Sequence, residues 1–162
     1  MSSIKAEFSG DTSKLFQRLE KLGKVDKKGV LRAIAEGLRT STVERFTEQK
    51  TPDGVSWKPS IRVRESGGKT LTKTTKLKTS IRASVSADGA AVGTNDIRAA
   101  TLQFGDDRTI RAKNSKYLKF KIGGKWVSVT SVNVSIPPRP FLGISAEDEQ
   151  DIQDIIEEAL EE

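Results

Sequence analysis

The chain contains no cysteine and no histidine in its 162 residues. Those absences exclude disulfide frameworks, thiolate zinc sites, cysteine nucleophiles and every triad that takes imidazole as its base. Long apolar runs are missing too. No stretch approaches the roughly 18 residues of a membrane span, and the N-terminal MSSIKAEFSGD lacks the apolar segment of a secretory signal. A cytoplasmic product with no membrane partner is therefore expected. Hydrophobic residues make up 35% of the chain, aromatics 6% and charged residues 31%, a lean core beneath a solvated surface. The length suits a single domain over residues 1–162, with part of its buried area supplied by neighbouring subunits. Gly123-Gly124 lacks the Lys-Ser/Thr and helix of a phosphate-binding loop. Asp53 and the adjacent Asp106-Asp107 read as loop carboxylates facing water. No catalytic residue, cofactor or metal is expected.

What the chain does have is charge, unevenly placed. The net +6 hides a segment, Ala146 to Glu162, with nine acids and no base, so the remainder carries 28 bases against 13 acids. Two clusters hold many of those bases: Lys58 to Arg82, with eight bases and one acid, and Arg108 to Lys125, with seven bases and none. A cationic body with an anionic end favours partners of opposite sign, whether acidic protein faces, nucleic acid or further copies of the chain.

The apolar pattern predicts the elements. Ile4, Ala6 and Phe8 alternate as a short strand. A helix is predicted from Asp11 or Thr12 to Gly23, with Leu15, Phe16, Leu19 and Leu22 on one face. Asp26 is placed to cap a longer helix whose stripe is Val30, Leu31, Ile34, Ala35, Leu38 and Phe46, interrupted by Thr42. These two helices read as a packed hairpin. Gly37 either weakens the second by about 1 kcal/mol relative to Ala or permits close packing. Residues 60–70, with Gly67-Gly68, read as a mobile basic loop, as do residues 105–116. Thr72 to Ile81 predicts a short amphipathic helix carrying Leu77 and Ile81. Asp88-Gly89 marks a hairpin between Ala83-Val85 and Ala90-Gly93, and Asp96 to Phe104 one or two helical turns closed by Gly105. Tyr117 to Ile122, Trp126 to Val129 and Val132 to Ile136 predict further strands, Lys119 and Lys121 on a wet face and Phe120 pointing into the core. A helix over 145–162 has Ser145 and Asp148 as a capping box and Ile152, Ile155, Ile156 and Leu160 as its stripe. Its terminal Glu157, Glu158, Glu161 and Glu162 sit at the negative end of the helix dipole, so fraying is expected until the helix settles on basic surface in an assembly. The fold class is α+β: an antiparallel sheet of hairpins packed against N-terminal helices and a C-terminal helix.

Two cassettes stand out. In the first, Arg45-Phe46 ends a helical stripe, Pro52-Asp53-Gly54 supplies a tight turn, and Trp57 follows. In the second, Pro137, Pro138 and Pro140 forbid helix and ladder hydrogen bonding, so Arg139 and Phe141 sit on a stiff extended strap before Gly143, read here as a docking device. Trp57 reads as a core anchor, with a partner hot spot as the other reading. Arg139 reads as forking onto a carboxylate, at a subunit contact or within the chain.

In order along the chain, Arg45-Phe46, Pro52-Asp53-Gly54, Trp57, Gln103-Phe104-Gly105 and Pro137-Pro138-Arg139-Pro140-Phe141-Leu142-Gly143 resemble the pattern of the phage virion morphogenesis family, the tail-completion proteins of Mu-like and related temperate tailed phages. The resemblance spans roughly Ser13 to Leu160. It departs at Thr74-Thr75, where the family often has Thr-Gly, and at Leu102, where it often has His. The resemblance implies a structural, non-enzymatic role in completing the tail or joining it to the head, as a homo-hexameric ring at the virion neck or tail end. Its implied partners are further copies, the tail tube and the head-completion or connector proteins, with DNA only as passing cargo. Arg62, Arg64, Lys69, Lys73, Arg108, Arg111 and Lys113 are the candidate partner-contact bases. As plain residues they also fit a solvated surface or nonspecific phosphate contact, and Tyr117, Phe120 and Trp126 among the lysines invite a base-stacking reading. Sheet alternation accounts for that interleaving equally well.

Overall fold

Apolar residues at helical spacing fold residues 27–48 into the longest element of the chain, helix α1 (Lys27–Glu48). The computed structural model describes residues 4–7, 26–87 and 89–161. The helix predicted to end at Gly23, together with Phe8 and Asp88, lies outside those residues. Along α1, Val30, Leu31, Ile34, Ala35, Leu38, Thr42, Arg45 and Phe46 are buried in one continuous stripe. Thr42 does not interrupt it, because its hydroxyl donates to the Leu38 carbonyl at 2.7 Å and so enters the core with its polarity satisfied. Asp26 stands at the N-cap without a side-chain capping bond. Gly37 is exposed, and among the described residues nothing lies within 4 Å of a Cβ built there.

Against α1 lies a three-stranded antiparallel sheet in the order β1 (Ile4–Glu7), β3 (Ala90–Thr94), β2 (Arg82–Val85). The central strand alternates buried Ala90, Val92 and Thr94 with half-buried Ala91 and Gly93, the period of two that places one face under a helix. Its small side chains let α1 approach closely. Leu77 and Ile81 close one side of this core, but only Lys76–Thr79 (α3) is helical there. Thr75 before it takes φ 53, a left-handed conformation that a β-branched residue adopts only under strain and that glycine adopts freely.

The segment expected as a loop over 60–70 contains a capped helix, α2 (Ile61–Ser66), whose Val63 amide donates to the Ser60 hydroxyl. Past it, the Gln49 side chain accepts from the Thr70 amide and donates to the Thr70 carbonyl, stapling this segment to the end of α1. The helix over the acidic end, α5 (Ala146–Glu161), is not held back for assembly. It packs on α1 within the single chain, burying Ile152 and Ile156.

The remaining strands leave the core. Strand β4 (Asp106–Arg111) pairs with β7 (Ser131–Ile136), and β5 (Leu118–Ile122) pairs with β6 (Lys125–Val129), nesting into one two-stranded arm. The loop expected at 105–116 is thus strand as far as Arg111, and only residues 112–117 form an irregular break. Gly123 and Gly124 close the tip, both at positive φ, as a two-residue hairpin turn requires. No residue from 104 to 136 is buried. Phe120 alternates with Lys119 and Lys121 as expected, but it is half-buried on the arm instead of lying in the core. Helix α4 (Ala99–Phe104) leads into the arm. At its base, a Cβ on Gly105 would lie 2.8 Å from the Ile136 carbonyl oxygen and 3.0 Å from Pro138, so the entering and leaving strands touch where only glycine fits.

Candidate functional site

The two cassettes meet. Phe46 from α1 stacks edge-on against Trp57 at 5.4 Å between ring centres and tilts against Phe141 of the strap, also at 5.4 Å. All three rings are buried. Every polar group brought in with them is matched. The Trp57 indole donates to the Pro140 carbonyl at 2.8 Å. Gln103, at the end of α4, accepts from the Phe141 and Leu142 amides at 3.0 Å each and donates to the Leu142 carbonyl at 2.8 Å. A proline-rich strap cannot join a ladder, so side chains must supply the partners its backbone needs.

Arg45 completes the strap's anchorage. One guanidinium nitrogen donates to the carbonyls of Phe141 (3.0 Å) and Gly143 (2.9 Å), the other to the Ser41 hydroxyl and the Asp148 carboxylate. Both ends of the Arg45–Asp148 pair are 4% exposed. Asp148 simultaneously accepts from the Ser145 amide at 2.7 Å, while Ser145 accepts from the Asp148 amide, so the capping box of α5 also neutralises a buried arginine. A lone charge at this depth would cost several kcal/mol, and its multiple hydrogen bonds are what make it tolerable. Gly143 is locked beside the first cassette: a Cβ there would lie 2.6 Å from Pro52. Among the described residues, no buried side-chain nitrogen or oxygen lacks a hydrogen-bond partner.

This geometry corrects two expectations. The strap is no docking device, since Arg139, Phe141 and Leu142 are turned inward and buried. Nor does Arg139 meet a carboxylate; it donates to the Lys58 carbonyl at 2.7 Å and to the Pro137 carbonyl at 3.5 Å, and burial lowers its guanidinium from its ordinary value. Trp57 is the core anchor. Pro52, Asp53 and Gly54 form the turn, with Gly54 at φ 79, and Pro138 lies exposed beside Gly105. Phe104 alone among the motif aromatics is outside, 71% exposed. Two contributors carried no such signal in the sequence. Asp148 was read only as a cap, and Gln49 has the unremarkable composition of any helix end.

The candidate contact bases lie elsewhere, in two groups. Arg62, Lys73 and Arg108, joined by Arg98, rim an open groove of about 570 Å³ floored by Leu71, Leu77 and Leu102. Arg62 also donates to the Lys69 carbonyl at 2.6 Å, and Lys69 to the Thr47 carbonyl at 2.8 Å, so both help to order α2. Arg64 is exposed on α2. Arg111 and Lys113 are exposed on the arm, continuing towards Lys116, Lys119, Lys121 and Lys125. Among the described residues, no group of His, Cys, Asp and Glu is arranged to hold a metal, and no helix is long and apolar enough to cross a membrane.

Fold and site together define an α+β domain whose sequence motifs build an internal strap and whose exposed chemistry is charge on a projecting arm. The family model for phage virion morphogenesis proteins matches residues 11–161, and the chain belongs to that family. Its role is therefore in the structure and assembly of a phage virion. No curated protein and no solved structure matches the chain.

Proposed function

We propose that the protein is a tail-completion or head-to-tail joining component, acting as an oligomeric ring at the virion neck or tail end and working by contact, without catalysis. The family match over residues 11–161 carries this reading. Two features of the molecule support it. Arg45, Phe46, Trp57, Gln103, Arg139 and Phe141 of the motifs are committed to packing and hydrogen bonds within the chain. The exposed charge is segregated, with acids on α5 and bases on the arm, and a ring needs two different faces meeting in a heterologous contact. The partners on this reading are further copies, the tail tube and the head-completion or connector proteins, with DNA only as passing cargo. Electron microscopy of lysates from phage lacking this protein tests it. Full heads separate from aberrant tails are expected; normal virions would overturn the proposal.

A second reading, nonspecific nucleic-acid binding, draws on Lys121 lying 5.2 Å from the centre of the exposed Trp126 ring, a cation beside a stacking surface. It requires retention on DNA at physiological salt with a steep salt slope. Weak retention that vanishes at that salt removes it.

A further inference from the structure

The arm and α5 each present an unbalanced surface. On α5, Glu147, Glu149, Asp151, Asp154, Glu157, Glu158 and Glu161 are exposed, and the helix has no base. Asp148, its buried acid, is already paired with Arg45. Among the described residues, none of those exposed acids makes an ion pair. The same holds for Arg111, Lys113, Lys116, Lys119, Lys121 and Lys125 on the arm. Each surface also carries an exposed apolar group. At the arm tip, Trp126 is 71% exposed on the ribbon face it shares with Lys119 and Lys121, while Ile122, 60% exposed, shares the other face with Lys125. At the end of α5, Leu160 is 37% exposed, one turn from Glu157 and next to Glu161.

Reach and stability point the same way. Eleven paired positions at about 3.3 Å each give the arm a length of roughly 36 Å, enough to cross onto a neighbour. A two-stranded ribbon with no buried residue is marginal in water and gains order when something covers it. Glu157, Glu158 and Glu161 at the C-terminal end of α5 oppose its dipole, and neighbouring cations relieve that conflict.

We propose that the arm tip of one copy docks on the C-terminal half of α5 of the next, with Trp126 against Leu160, Lys119 and Lys121 towards Glu157 and Glu161, and Lys125 and Glu158 at the margins of the contact. The proposal rests on the ring reading above and names the contact that would build the ring. An apolar contact flanked by complementary charge gives orientation and encounter rate through the charges and holding strength through the desolvated apolar pair. The helix offers only about 24 Å of length, so each junction is small and weak by itself. Closure into a ring, where every copy makes two such contacts, supplies the persistence.

The test uses three samples of the full chain in analytical ultracentrifugation at low salt and high protein concentration. These are the wild type, a tip variant (Lys119→Glu, Lys121→Glu, Lys125→Glu) and a helix variant (Glu157→Lys, Glu158→Lys, Glu161→Lys). The wild type is expected to self-associate and to weaken as salt rises. Each variant alone is expected to lose association by about a hundredfold or more, while keeping the wild-type melting temperature. Their equimolar mixture is expected to reassociate, because the reversed tip matches the reversed helix and the two native faces match each other. The helix variant places cations at the helix C-terminus, so fraying cannot explain its loss. Variants that assemble as the wild type does, or a mixture that stays monomeric, overturn the arm-to-helix contact and leave the ring reading standing. A wild type that is monomeric throughout overturns both.

Discussion

The strap at Pro137 to Gly143 and the arm at Asp106 to Ile136 are contiguous in sequence and opposite in physics. Both are rich in extended backbone and both carry arginine or lysine beside aromatic rings. In the strap every such group is buried and matched: Arg45 serves two carbonyls, a hydroxyl and a carboxylate, and Trp57 and Gln103 satisfy the backbone that three prolines leave without a ladder. In the arm the rings and cations face water and no side chain is buried. Basic and aromatic residues therefore build an internal joint where the chain surrounds them, and an exposed charged surface where it does not. The strap is stabilised within one chain, whereas the arm buries no residue against it.

The strongest way to break this comparison is at Arg45. Arg45→Ala leaves Asp148 charged and buried and strips the Phe141 and Gly143 carbonyls of a donor, so a loss of about 3 to 5 kcal/mol is expected in denaturant unfolding. A loss below about 1 kcal/mol would show that water reaches the site and that the joint is not dry. Trp57→Ala removes a buried ring that contacts Phe46 and a donor to Pro140, and is expected to cost about 3 to 5 kcal/mol; Trp57→Phe keeps most of the packing and isolates the donor at about 1 to 2 kcal/mol.

Smaller effects sharpen the contrast. Thr75→Gly should stabilise the chain by about 1 kcal/mol, because it relieves a β-branched residue at φ 53, the position where the family pattern often has glycine. Gly37→Ala should add about 0.5 to 1 kcal/mol, since the new methyl meets nothing. A melting temperature lowered by either substitution contradicts the backbone account. On the arm, Trp126→Ala should change stability by less than about 0.5 kcal/mol, because the side chain is largely exposed. The smallest effect concerns Asp96, whose two carboxylate oxygens accept from Nε and Nη2 of Arg98, which holds it below the usual carboxylate range. A depressed carboxylate contributes stability that is complete above its ordinary range and is lost as pH falls through the depressed value. Because Arg98 is half-exposed, that contribution should stay under about 1 kcal/mol, and Asp96→Asn should flatten the acid limb of the stability profile by no more.

Much was legible from local pattern. The α1 stripe, the Gly105 stop, the Gly123-Gly124 turn, the Ser145 and Asp148 capping box and the order of the motifs all follow from periodicity and from the conformations that glycine and proline permit. The candidate site was legible as a set of residues but not as a place. Nothing near Arg139 says that its partner is the Lys58 carbonyl, and nothing near Arg45 says that its carboxylate lies 103 positions away. The α2 helix hid in a polar basic stretch because its support, the Gln49 staple onto Thr70, is made by a side chain 21 positions earlier.

The sequence by itself determined which segments curl, extend or turn, and where charge of each sign accumulates, because those depend on backbone sterics and composition within a few residues. Only the tertiary structure decided which extended segment would be covered. Phe120 lies between Lys119 and Lys121 and Phe141 two residues after Arg139, yet one is half-buried on an arm and the other is enclosed by Phe46 beside Trp57. Alternation tells which way a side chain points relative to its neighbours. Whether a second layer stands there to receive it depends on how distant elements pack: α1 stands against the strap, while among the described residues nothing encloses the arm.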